Sequence, residues 1–115
     1  MGVSAFVLYY RMPNGHYSIP LKDAQTAIEI IRKRHKEWNI NKKKIGIMGF
    51  SAGGHLASTA GTHFKTKKQR PAFMILGYPV VTMDSTYTHK GSRKNLMGNK
   101  PTDDLVKLYS NELQV

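Results

Sequence analysis

Apolar positions along the chain fall into two kinds of pattern. Residues 5 to 10, "AFVLYY", residues 45 to 50, "IGIMGF", and residues 71 to 81, "PAFMILGYPVV", are short apolar runs without polar alternation, the pattern of strands covered on both faces. Between the first two, "RMPNGHYSIP" carries Pro13, an Asn14-Gly15 turn signal and Pro20, so the chain must loop before its next element. From Pro20 onward, Leu21, Ala24, Ile28, Ile31, His35 and Trp38 recur at steps of three and four and lie on one stripe of a helix that ends at "NIN". Residues 52 to 64, "AGGHLASTAGTHF", form a second helix. Gly53, Gly54 and Gly61 each cost it up to about 1 kcal/mol relative to alanine, so packing against neighbours must hold it. From residue 82 the chain mixes Thr, Ser, Gly, Lys and Asn and carries no strand signal. One short helix is expected around "TDDLVKLYSNEL", with Thr102 as its N-cap. Three strands thus alternate with two helices, β-α-β-α-β, which predicts an α/β fold with a parallel sheet and helices on its faces.

Composition narrows this picture without changing it. The chain has 115 residues, enough for one core, and 40% of them are hydrophobic, the level of a packed globular domain. Its opening apolar run is too short to span a bilayer, and neither a signal peptide nor a transmembrane segment is indicated. Cysteine is absent, which removes disulfides and thiolate metal sites but leaves the compartment undetermined. No two histidines or carboxylates share ligand spacing on one face, so neither a metal site nor a cofactor is expected.

The charge does add a question. Eighteen Lys and Arg against seven Asp and Glu give a net charge of +11, which brings a nucleic acid or another polyanion into consideration as a partner of a non-enzymatic basic module. Against nucleic acid stands the lack of aromatic side chains interleaved with the basic ones, and of any known recognition motif. The clusters "RKRHK" at 32 to 36, "KKK" at 42 to 44 and "KTKKQR" at 65 to 70 each lie at a helix carboxyl end or in the loop leading into a strand. In a parallel sheet such loops gather at the end remote from Ser51, and cations at helix carboxyl ends contribute about 0.3 to 1 kcal/mol each.

The chemistry concentrates at "GFSAG", residues 49 to 53, a Gly-x-Ser-x-Gly pattern set between an apolar strand and a helix. That context lifts a serine hydroxyl out of a tight turn at the carboxyl end of a strand, with the next helix's amino terminus beneath it. Ser51 is thereby the expected nucleophile, and the backbone N–H of Ala52 an expected oxyanion donor. His55, four residues on, points away from an exposed hydroxyl and reads as an interior histidine. His35 and His63 read as packing or capping residues. Tyr78, at the end of the third apolar run, is a candidate pocket residue, because ligand sites of open α/β sheets form beyond the strands' carboxyl ends. Ser51, Asp84 and His89 occur in the order of a triad, but only five residues separate the acid from the histidine, so an internal triad is not expected. Asp84 is instead expected to shape a turn, with a substrate contact as the alternative.

The strings "FVLYYRMP", "PLKDAQTAIEIIRKRHKEWNI", "KIGIMGFSAGGHLA" and "GYPVVTMDSTYTHKGSRKNLMG" together resemble the α/β-hydrolases, within them the bacterial carbohydrate-esterase branch that includes acetylxylan and feruloyl esterases. The resemblance spans essentially the whole chain. It implies a serine esterase that removes acyl groups from a polysaccharide or a small ester, with no nucleic-acid or membrane partner. It also implies that residues 1 to 115 are the central part of one catalytic domain. The Gly-rich loop with the second oxyanion donor would lie upstream, and the acid and histidine of the triad downstream. A serine without its base is a poor nucleophile, so the isolated chain is expected to be inactive. Its incomplete sheet would expose edges through which copies self-associate.

Overall fold

The computed structural model describes residues 2–115. Helix α1 (Ser18–Lys33) starts with Pro20 in its first turn, where a missing backbone N–H costs nothing. It buries Pro20, Ala24 and Ile28. Its expected continuation to Trp38 is wound as successive turns rather than regular helix. The end is a Schellman-type stop: Asn39 takes φ 52°, its N–H donates to Lys36 O, and Ile40 N–H donates to His35 O at 2.7 Å. The loop before α1 is tied to it by Arg11, whose backbone N–H and guanidinium both donate to the Asp23 carboxylate. That pairing holds the Asp23 carboxyl down at about 2.

Strand β1 (Ile47–Phe50), helix α2 (Ser51–Thr62) and strand β2 (Met74–Gly77) form the centre of the fold. The strands are parallel, with Ile47 opposite Met74 and Phe50 opposite Gly77. Helix α2 packs on both strands and on α1. Its small residues serve that position: seven consecutive residues, Gly54 to Ala60, are buried, and a Cβ on Gly61 would fall 2.1 Å from the Met74 sulfur. Ala24, Leu56 and Ala60 form one core cluster, joined by Tyr10, Leu21 and Ile47. The opposite sheet face carries Met48, Phe50 and Ile75, each more than half exposed.

Residues 5–10 differ from their expected strand. Among the described residues the sheet has two strands, and this run pairs with neither. An unalternating apolar run becomes a strand only where a neighbour offers a ladder and both faces are covered. Here Val7 and Tyr9 are exposed, and Tyr10 alone turns inward to the core cluster.

Beyond β2, helices α3 (Lys90–Met97) and α4 (Asp103–Tyr109) and a 3₁₀ turn (Asn111–Leu113) complete the described chain. Thr102 caps α4 as expected, its hydroxyl accepting from Leu105 N–H at 3.2 Å. Met83, Met97 and Tyr109 make a second core cluster. Asn111 fastens this region to α2: its side-chain amide donates to the hydroxyls of Ser58 (2.6 Å) and Thr59 (2.9 Å).

At the amino-terminal end of the strands, the Arg32 guanidinium donates to the backbone carbonyls of Lys42, Lys67, Lys68 and Arg70. One side chain thus joins the last turn of α1 to the loops that enter β1 and β2. Hydrogen bonds from a charged donor contribute about 1.5 to 3 kcal/mol in sheltered settings and less toward solvent. Replacing Arg32 by alanine is accordingly expected to lower stability by about 2 kcal/mol, measured as a shift in the denaturant midpoint. Arg32→Lys should recover little, because a single ammonium cannot span four carbonyls.

Candidate active site

The turn from β1 into α2 is built around a residue in an unusual backbone state. Phe50 is still extended (φ −122°, ψ 144°), Ser51 switches to φ 51°, and regular helix follows from Ala52. Left-handed backbone costs a non-glycine residue about 1 to 2 kcal/mol, so the surroundings must impose it. Two contacts do. Gly49 lies so close to the first turn of α2 that a Cβ there would sit 2.1 Å from Gly53 O, and Val80 N–H donates to Ser51 O at 3.3 Å. Ser51 and Ala52 are both exposed. Phe50 provides no side-chain cap, so the amides of the first turn are not claimed by one.

The two glycines of the motif have different duties. Gly49 permits the close approach of strand and helix, whereas a Cβ on Gly53 would meet nothing nearer than the Tyr10 hydroxyl at 4.0 Å. Gly54, outside the pattern, is the tighter position: a Cβ there would lie 2.9 Å from Pro79 Cβ.

Tyr78 stands at the end of β2 as Ser51 stands at the end of β1. It too has positive φ, 34°, and its exposed ring lies 5.8 Å from that of Phe50. Asp84 is exposed in the following loop. Its carboxylate accepts from Thr86 N–H at 2.8 Å, and its carbonyl accepts from Tyr87 and Thr88, the turn expected of it. The bond from Thr86 is the main reason its carboxyl lies below the ordinary range. His89 caps α3, its Nδ1 taking the N–H of Ser92 at 3.2 Å, and makes no hydrogen bond with Asp84. The structure does not join Ser51, Asp84 and His89 into a triad.

Beside Ala52 lies a cavity of about 220 Å³ with mainly apolar walls. Tyr10, Tyr17, Leu56, His89, Asn95 and Tyr109 are among the residues that line it, the rings of Tyr17 and Tyr109 meeting edge-on at 5.4 Å. Neither Tyr78 nor Asp84 reaches it; Met83, adjacent to Asp84, does. Tyr17 and Asn95 were not among the candidates read from the sequence: Tyr17 lies in the segment before α1, and Asn95 on α3, whose eight residues carry only two apolar side chains, Leu96 and Met97. The spacing of His89 and Ser92, three apart as in a cap, was the one available clue.

His55 contacts the same cavity but is committed elsewhere. It is 5% exposed, and its Nε2 bonds to Tyr109 O at 2.8 Å. Burial holds its pKa below the ordinary value of about 6.5. The unfolded chain therefore binds a proton here before the folded one does, and stability falls as pH drops through 6.5 and below. The transition temperature is expected to decline between pH 7 and 4.5, and to decline less in His55→Gln, whose amide can still donate to Tyr109 O. Asp23, whose stabilising contribution is lost only as pH falls below the ordinary carboxylate value toward 2, acts in a separate window.

With this geometry in place, comparison with known proteins is informative. A family described as an alpha/beta hydrolase fold matches residues 2–115. The chain belongs to the α/β-hydrolase family. It is 43% identical over 113 residues to an acetylxylan esterase of Xylanibacter ruminicola, covering 96% of this chain and 23% of that protein. It is 39% identical over 128 residues to endo-1,4-beta-xylanase B of Butyrivibrio fibrisolvens, covering 99% and 20%. Among solved structures, an acetyl ester-xyloside bifunctional hydrolase of Caldicellulosiruptor lactoaceticus superposes with TM-score 0.90 at 43% identity, covering 99% of this chain and 46% of that one. This α/β-hydrolase chain thus spans about a quarter or less of the curated relatives it matches and just under half of that structural relative, and its fold is a partial α/β-hydrolase fold. Among the described residues no helix is long and apolar enough to cross a membrane.

Proposed function

We propose that this chain carries the nucleophile of a serine esterase that removes acyl groups, acetyl foremost, from carbohydrate. The observation that carries the proposal is the backbone of Ser51: an exposed serine held at φ 51° where a strand enters a helix. A turn under such strain persists only where the surrounding structure enforces it, and strain of this kind clusters at functional sites. The named activities of the acetylxylan esterase and the acetyl ester-xyloside hydrolase support acetylated carbohydrate as the substrate class.

In the proposed mechanism the Ser51 hydroxyl attacks the ester carbonyl as its proton passes to a histidine base. The tetrahedral oxyanion is held by Ala52 N–H and a second donor. Collapse releases the sugar hydroxyl and leaves an acyl-serine that water then hydrolyses. Base, acid and second donor are assigned to segments outside this chain, which accords with the partial coverage of its relatives. Tyr78 and Asp84, at and beyond the carboxyl end of β2, are proposed as contacts for the sugar bearing the ester. The apolar sheet face of Met48, Phe50 and Ile75 supports the related expectation that isolated copies of the chain self-associate.

The test is to treat the full protein with a fluorophosphonate and map the adduct, alongside acetate release from acetylated xylan. A single adduct on the peptide containing Ser51, with loss of acetate release, is expected. An adduct elsewhere, or hydrolysis that survives complete labelling of Ser51, would refute the assignment.

A further inference from the structure

Eleven of the 18 Lys and Arg residues fall within the runs 32–36, 42–44 and 65–70, and Glu37 is the lone acidic residue in or beside them. Nearly all of the net charge of +11 therefore comes from these three segments. The fold gathers them at one end. Arg32 binds carbonyls in both loops, and Ala72 N–H donates to Ile45 O at 2.7 Å where the two loops enter the sheet. The strands are parallel and Ser51 follows β1 directly, so this end is separated from Ser51 by at least the strand's length, about 13 Å at 3.3 Å per residue. That exceeds the screening length of about 8 Å at physiological salt, so the charge has little effect on chemistry at Ser51. A concentration of like charge also opposes folding by self-repulsion, and a partner of opposite sign accounts for it better than solubility does.

Resting on the esterase reading above, we propose that this basic end docks a polysaccharide bearing carboxylates, holding the polymer at a distance from the ester being cleaved. The charges free to act are mostly lysines. The Arg32 guanidinium is used by backbone carbonyls, Arg34 lies 5.3 Å over Trp38 and 3.8 Å from Glu37, and Arg70 lies 5.2 Å over Phe64. Lys36, Lys43, Lys44, Lys67 and Lys68 stand exposed around them. Flexible ammonium groups attract scattered carboxylates without demanding a fixed geometry, whereas arginine forks suit bidentate partners. Two aromatic rings beside the patch, Trp38 and Phe64, are already covered by guanidinium groups, which removes them as platforms on which nucleic-acid bases could stack.

The probe is immobilised acetylated glucuronoxylan, compared with the same polymer after reduction of its carboxyl groups to alcohols. The full protein is used with Ser51→Ala, so that the polymer is not altered during the measurement. Retention on the carboxylated polymer, weakened by added salt and lost on the reduced one, is expected. Lys43→Gln, Lys44→Gln, Lys67→Gln and Lys68→Gln together should weaken retention about tenfold. With Ser51 present, the same four substitutions should leave hydrolysis of a small soluble acetyl ester unchanged. Equal retention on both polymers overturns the proposal with the Ser51→Ala protein alone, whatever the added lysine substitutions do. Unchanged retention of the folded variant, or tighter binding to duplex DNA than to the carboxylated polymer at the same salt, overturns it too. Binding is read without turnover and small-ester hydrolysis without docking, so failure of one leaves the other standing.

Discussion

Replacing Ser51 by alanine in the full protein is expected to lower deacetylation by about 10⁴- to 10⁶-fold, the loss seen when a triad nucleophile is removed from a serine hydrolase. The residue that follows the turn is unaffected, so Ala52 N–H and the cavity beside it should still bind substrate, and the loss should fall on kcat rather than KM. Stability gives an independent check on the geometry. Serine and alanine both carry a Cβ and both resist φ 51°, so Ser51→Ala should unfold at nearly the parental midpoint. Ser51→Gly should be equally inactive yet more stable by up to about 1 kcal/mol, because glycine adopts that backbone freely. An alanine variant within tenfold of the parental rate would dismiss Ser51 as nucleophile, and a glycine variant no more stable than alanine would dismiss the strained turn.

How far the fold could be read from the sequence differs sharply between elements. The β1–α2–β2 unit was legible because its two strands are short apolar runs each entered from a charged loop, and its helix is marked by the small residues that close packing requires. The basic loops were placed at the far end by topology alone, and Arg32 then joins all three. Residues 5–10 looked the same as the other runs but did not become a strand, since strand identity depends on a neighbour that local sequence does not describe. Helix α3 was illegible for the opposite reason. "KGSRKNLM" buries only Met97, carries a glycine in its first turn, and is capped by a histidine rather than by a usual short polar side chain.

The candidate site divides along the same line. Ser51 and its turn are encoded within five consecutive residues, so they could be found without knowing the fold. The cavity beside Ala52 is assembled from the loop before α1, from α2, from α3 and from α4, whose residues converge only through tertiary packing. His55 was identifiable as an interior group from its position four residues after Ser51 on one helix, and its bond to Tyr109, 54 residues away, supplies the partner that spacing could not name.

The second large effect concerns the glycine ahead of the serine. A Cβ at position 49 would lie 2.1 Å from Gly53 O and 2.4 Å from Gly53 C, both backbone atoms of the first turn of α2. No rotamer change relieves a clash with backbone, so the helix would have to lift away from β1 and take the position of Ser51 with it. Gly49→Ala is therefore expected to cost more than about 4 kcal/mol, the range reserved for severe structural conflicts, out of a total of about 5 to 15 kcal/mol for a typical domain. The outcome should be loss of both cooperative unfolding and fluorophosphonate labelling. Gly53→Ala is the matched control: its Cβ has open space, the position is helical, and alanine is the better helix former by about 1 kcal/mol. It should fold at least as stably as the parent and keep its labelling. Two glycines flank one serine in the same motif, yet only the first is required by contact; equal behaviour of the two alanine variants would show that strand and helix do not meet as closely at position 49 as the geometry demands.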